Sequence, residues 1–136
     1  MKAKIYLSAI LFICAQISFS DGLKTIRETL MVLRPDYFFS EDSLHDLGTV
    51  RQENGDELHI LFNEHFWGNG RCSSRIVIIK NKMPIGAYGV IGDRPTVNRR
   101  GLEFPYQSNR GNIVFLEREI PETVYLDGEF YRFEYF

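Results

Sequence analysis

The sequence predicts an α+β domain in which an N-terminal helix, with room for a shorter second one, packs on an antiparallel β-meander of about six or seven strands. Three observations carry that expectation. Apolar residues recur at helical spacing between Leu23 and Leu33, and from Thr49 onward the period shortens to the alternation of strands. The dipeptides Asn54-Gly55, Asn69-Gly70 and Asp127-Gly128 then punctuate the alternating stretches as hairpin turns do.

Residues 1–20 have the three parts of a secretory signal. Lys2 and Lys4 supply the positive start, an apolar stretch runs from Ile5 to Ile17, and Ser18 and Ser20 put small residues three and one before Asp21. A retained membrane anchor is the competing reading, but Ser8 and Gln16 interrupt the stretch, which falls short of the roughly 20 apolar residues a span needs. Cleavage after Ser20 is therefore expected, leaving residues 21–136 as a single α+β domain.

In the mature chain Leu23, Ile26, Leu30 and Leu33 form the apolar stripe of the helix, with Asp21 available as its cap and Pro35 as its stop. The shorter second helix fits "SEDSLHDLG", where Ser40 is placed to cap, Glu41 and Asp42 sit in the first turn, and Gly48 ends it. A long strand is expected in "ELHILFNEHFW" and a central one, apolar on both faces, in "SRIVIIK". "AYGVIG", "GLEFPYQ", "NIVFLERE", "TVYL" and "EFYRFEYF" complete the strand candidates, the last two flanking the Asp127-Gly128 turn. A closed outer-membrane barrel does not fit, because Glu134 and Arg132 would face lipid beside the terminal Phe136.

Charge and cysteine content narrow the chemistry. Loss of Lys2 and Lys4 leaves 14 basic against 18 acidic residues, a formal charge of −4 that disfavours general nucleic-acid binding. Cys14 leaves with the signal, so Cys72 has no partner for an internal disulfide; it can bridge only to another chain, as in a disulfide-linked dimer.

"NEHFWGNGRCSSR" gathers His65, Trp67, Arg71, Cys72 and Arg75 about one hairpin tip. A catalytic thiol needs a base within hydrogen-bond reach and an electropositive setting, which His65, Arg71 and Arg75 offer. Register decides the matter. A two-residue Asn69-Gly70 turn sets Cys72 diagonal to His65, whereas a three-residue turn pairs Cys72 with Phe66 and moves it away. His59 and His65 lie six residues apart on one strand face, about 20 Å, too far to share a metal, and no metal site is expected.

Two other stretches matter. Gly86, Gly89 and Gly92 lack the spacing of a phosphate loop and suit a bent or bulged strand, and no nucleotide fingerprint or cofactor motif occurs. Glu117 and Glu119 share a face if their segment is a strand, a spacing open to glycosidase carboxylates but explained more simply by a solvent face. The segment from Asp93 to Asn112 carries Arg94, Arg99, Arg100 and Arg110 interleaved with Phe104 and Tyr106, a composition suited to recognition loops. The same arginines would be spent internally if they met the acidic C-terminal strands.

Taken as they stand, the residues point to a small exported protein, periplasmic or extracellular, that binds a protein or carbohydrate partner. The expected contact residues are Arg94, Arg99, Arg100, Phe104, Tyr106 and Arg110, together with Trp67 and Arg71. The alternatives are a small thiol-dependent enzyme using Cys72 with His65, and a structural component of the cell envelope.

Overall fold

The computed structural model describes residues 22–90 and 92–136. The expected signal segment and the expected capping role of Asp21 lie outside the described residues. The described helix, α1, covers residues 22–33 and turns Leu23, Ile26 and Leu30 onto the sheet, while Leu33, expected on the same stripe, is exposed. A 3₁₀ turn at Pro35–Tyr37 follows, its fixed proline φ suited to the first position of such a turn.

Six strands form one antiparallel sheet in the order β1 (Leu44–Arg51), β2 (Glu57–Phe66), β3 (Cys72–Lys80), β4 (Met83–Val90), β9 (Glu129–Tyr135), β8 (Thr123–Leu126). Between β4 and β8 the chain makes a second sheet of three short strands, β5 (Thr96–Asn98), β6 (Gly101–Glu103) and β7 (Ile113–Phe115). The α+β meander is thus the observed architecture. The strands are more numerous than expected because "TVN", too short to show a period, pairs with β6, and because residues 44–51 join the sheet as β1.

The short second helix is not formed. Residues 44–51 are strand β1 instead, antiparallel to β2 from Leu44↔Asn63 to Arg51↔Glu57. Ser40 donates its backbone N–H to the Ser43 hydroxyl in a tight turn, and Gly48, with φ of 120°, marks a bulge in β1. Pairing wins over local helix signals because β2 would otherwise leave a row of backbone donors and acceptors unmatched.

Alternation along β2 and β3 feeds two separate cores. Leu58, Ile60, Phe62, Ile76 and Ile78 meet Leu102, Phe104, Val114 and Leu116 of the small-sheet layer. Leu61, Val77 and Ile79 point the other way, onto Leu30, Tyr37 and Phe39. The molecule is therefore layered as helix, large sheet, small sheet, and β3 is buried on both sides, as its unbroken apolar run requires.

The Asn-Gly turns have one shared geometry. At both, the first residue donates its N–H to the carbonyl four residues on (Gln52 to Asp56, 2.8 Å; Trp67 to Arg71, 2.7 Å), and the glycine N–H returns to the first carbonyl. Each asparagine Oδ1 accepts the backbone N–H two residues ahead. Only Gly55 and Gly70 take positive φ, so these are three-residue loops with a glycine bulge, whereas Asp127-Gly128, both positive, is the two-residue turn.

Gly86 sits in a bend of β4. A Cβ there would lie 2.4 Å from the Glu134 carbonyl and 2.5 Å from the Phe133 ring, so the missing side chain is what lets β9 approach.

Candidate functional site

The turn at Asn69-Gly70 sets the register of β2 against β3, and the register builds the site. Asn63 stands across from Arg75, His65 across from Ser73, and Phe66 across from Cys72. Side chains alternate, so Asn63, His65, Ser73 and Arg75 share the face covered by α1, and Cys72 projects from the other. The Cys72–His65 dyad of a thiol enzyme is not assembled. The Cys72 thiol is free and at the surface, and its pKa is pushed above the ordinary value, first by desolvation and then by the charge of Glu64.

On the α1 face, the segment after the helix crosses the end of the hairpin. Phe38 adopts the left-handed conformation, φ 56° and ψ 51°, which is costly for a bulky side chain. That conformation brings its ring over His65, stacked at 4.9 Å with an 18° tilt. Trp67 closes the group edge-on, 4.5 Å from His65 and 4.8 Å from Phe38, and its indole N–H donates to the Ser73 hydroxyl at 3.0 Å. Phe38 remains 45% exposed and Trp67 38%, so an aromatic cluster ordered from three sides still faces solvent.

Beneath it, Tyr37 is held between two cations. The guanidinium carbons of Arg34 and Arg75 each lie 3.8 Å from its ring centroid, hence one on each face. The Tyr37 hydroxyl donates to Glu134, and burial, followed by that carboxylate, raises its pKa. Asn63 is wholly buried; its amide donates to the Tyr37 carbonyl at 3.1 Å, and its Oδ1 has no hydrogen-bond partner among the described residues.

Beyond the aromatic cluster, Trp67, Asn69, Arg71, Cys72 and Ser73 line a concavity of about 610 Å³. Asn69 spends its Oδ1 on the Arg71 backbone, which leaves its amide donors at the rim. The Arg71 side chain has no carboxylate within ion-pair distance among the described residues, and the Arg75 guanidinium lies over the Tyr37 ring within electrostatic reach of Asp36.

The other expected contact residues are dispersed. Phe104 is 2% exposed and belongs to the small-sheet core, with Tyr106 stacked on it and partly buried. Arg94 reaches Glu64 at 2.8 Å, Arg100 reaches Glu117 at 3.2 Å, and Arg110 reaches Asp127 at 3.2 Å. Only Arg99 of that segment stands exposed and unpaired among the described residues. Glu117 and Glu119 do not share a strand face, since β7 ends at Phe115 and Glu117 is engaged by Arg100.

His59 meets Asp46 at 2.6 Å, six residues along β2 from His65, and His45 lies 3.5 Å from Glu64, on the sheet face opposite His65. Among the described residues no group of three or more His, Cys, Asp or Glu side chains is placed to hold a metal ion, and no helix is long and apolar enough to cross a membrane.

Phe38, Asn63 and Arg75 were not among the contact residues expected from sequence. Phe38 is 25 residues from Asn63 in the chain, and no local pattern announces that the two meet at one hairpin. The chain matches no family model, no curated protein and no solved structure, which leaves this row of side chains as the ground for a functional reading.

Proposed function

We propose that this chain is a small exported binding protein that recognises a protein or carbohydrate partner through the turn end of the β2–β3 hairpin. The single observation that carries the reading is the aromatic cluster of Phe38, His65 and Trp67, kept at the surface by a left-handed phenylalanine. Strained backbone that persists in a folded chain is held there by its surroundings, and it gathers at sites of recognition. The Asn69 amide and the Arg71 guanidinium next to the cluster supply donors and a cation, which suits recognition. Export is the companion proposal, resting on the signal pattern of residues 1–20.

The test compares the wild-type mature protein with the Trp67→Ala/Arg71→Glu double variant on a panel of purified glycans and exported proteins. The expected result is at least one partner retained by the wild type and lost by a folded double variant. Equal retention by both would remove this surface from the reading.

A further inference from the structure

We propose that the concavity beside Trp67 takes a sugar bearing a carboxylate, with the ring of the sugar against the indole and its carboxylate on Arg71. The proposal rests on the reading of this face as the binding surface and adds the chemical class of the ligand.

Charge is the first ground. Arginines across this acidic chain stand mostly beside carboxylates of the same molecule, from Arg34 with Asp36 to Arg132 with Glu122. At the turn end of the β2–β3 hairpin Arg71, at the rim, has no carboxylate partner among the described residues; Arg75, four rungs further from the turn, lies over the Tyr37 ring and within electrostatic reach of Asp36. A guanidinium without a carboxylate, next to a concave surface, presents an open fork of donors suited to a planar anion.

Composition is the second ground. The wall is one indole, one amide, one hydroxyl, one guanidinium and the Cys72 thiol around about 610 Å³, within the range of small-ligand sites. An aromatic face beside fixed amide and hydroxyl groups suits a ring that is apolar on its C–H face and polar around its edge.

Over the rungs nearest the turn, β2 and β3 pair only with each other, since the β1–β2 ladder stops at Asn63 and the β3–β4 ladder at Ser74. The aromatic and guanidinium pair beside them suits a compact ring with one charge, and the peptide arm of the test reads whether the open strand edges are used instead.

Trp67 is the only tryptophan of the chain, so its emission reports the site directly. The full mature protein is titrated with a glucuronic-acid oligomer, its carboxyl-reduced neutral counterpart and a glutamate-rich peptide. The expected result is a saturable change with the uronate oligomer alone, weakened at least about tenfold in Arg71→Gln and unchanged in Arg51→Gln, whose guanidinium is also exposed but stands at the other end of the sheet. Equal binding of the neutral oligomer, or an Arg71→Gln protein as tight as wild type, would overturn the proposal. A response to the peptide in place of the uronate would also overturn it, while leaving the surface itself as the binding face. Silence with all three probes would overturn it too, and the partner comparison of the double variant then decides the broader reading separately.

Discussion

Cys72 lies directly across the β2–β3 hairpin from Phe66, and this single rung of register puts its thiol on the opposite side of the sheet from the His65 imidazole. A hairpin loop shorter by one residue would have set the thiol across from Trp67 and diagonal to that imidazole. The difference between a catalytic pair and two unrelated side chains is thus the conformation at Asn69 and Gly70.

For Cys72 the expected behaviour is that of an unactivated surface thiol. Its pKa lies above the ordinary 9.0, so the thiolate is scarce at neutral pH and alkylation accelerates as pH rises beyond that value. Iodoacetamide rates measured against pH on the folded protein check this, and a rate that plateaus near neutrality would contradict it. Cys72→Ser is expected to change stability by less than about 0.5 kcal/mol.

Phe38 should show a trade between stability and recognition. Relief of the left-handed strain, about 1–2 kcal/mol, offsets the loss of ring contacts in Phe38→Asn, so thermal unfolding is expected to move little. Binding of whatever ligand Trp67 reports should weaken in the same variant. A large loss of stability would mean that the ring is chiefly a structural cover for His65.

Gly86→Ala tests how closely β9 is seated on β4. The new methyl would meet the Glu134 carbonyl and the Phe133 ring inside contact distance, and strands cannot part there without exposing the Tyr88–Phe133 pair. Destabilisation of about 1–3 kcal/mol is expected from overpacking. Chemical denaturation of the two proteins measures it, and an unchanged midpoint would refute the close approach.

Alkaline pH should weaken the fold through its tyrosines. Burial raises the pKa values of Tyr37, Tyr88 and Tyr106 above the ordinary 10.0. The folded state therefore holds these protons more tightly than the unfolded chain. Their contribution is complete below pH 10 and is lost as pH climbs from there through the raised values. Tyr88, the most buried, donates its hydroxyl to the Pro121 carbonyl. Melting temperatures recorded on both sides of pH 10 should fall on the alkaline side, and Tyr88→Phe, less stable at neutral pH, should fall less steeply.

Much of this protein was legible before any coordinates. Alternation in "ELHILFNEHF" told which residues of β2 share a face, because side-chain period follows from backbone geometry alone. The glycine and asparagine pairs marked the places where the chain reverses, for the equally local reason that positive φ suits few other residues. Asp127-Gly128 became the two-residue turn that its composition suggests.

What tertiary structure decided was every relationship between segments distant in sequence. Residues 44–51 carry helix signals and became strand β1, since β2 offered them a complete ladder of hydrogen bonds. Of the arginines of the Asp93–Asn112 segment, Arg94, Arg100 and Arg110 are met by Glu64, Glu117 and Asp127, which only folding brings near. Conversely Arg71 and Trp67, two residues of a short turn, acquired a concave surface, and Trp67 an aromatic neighbour in Phe38. Period and turn chemistry are properties of a few adjacent residues. Register, charge pairing and the meeting of Phe38 with His65 depend on which strands find each other, and that is settled by burial across the whole chain.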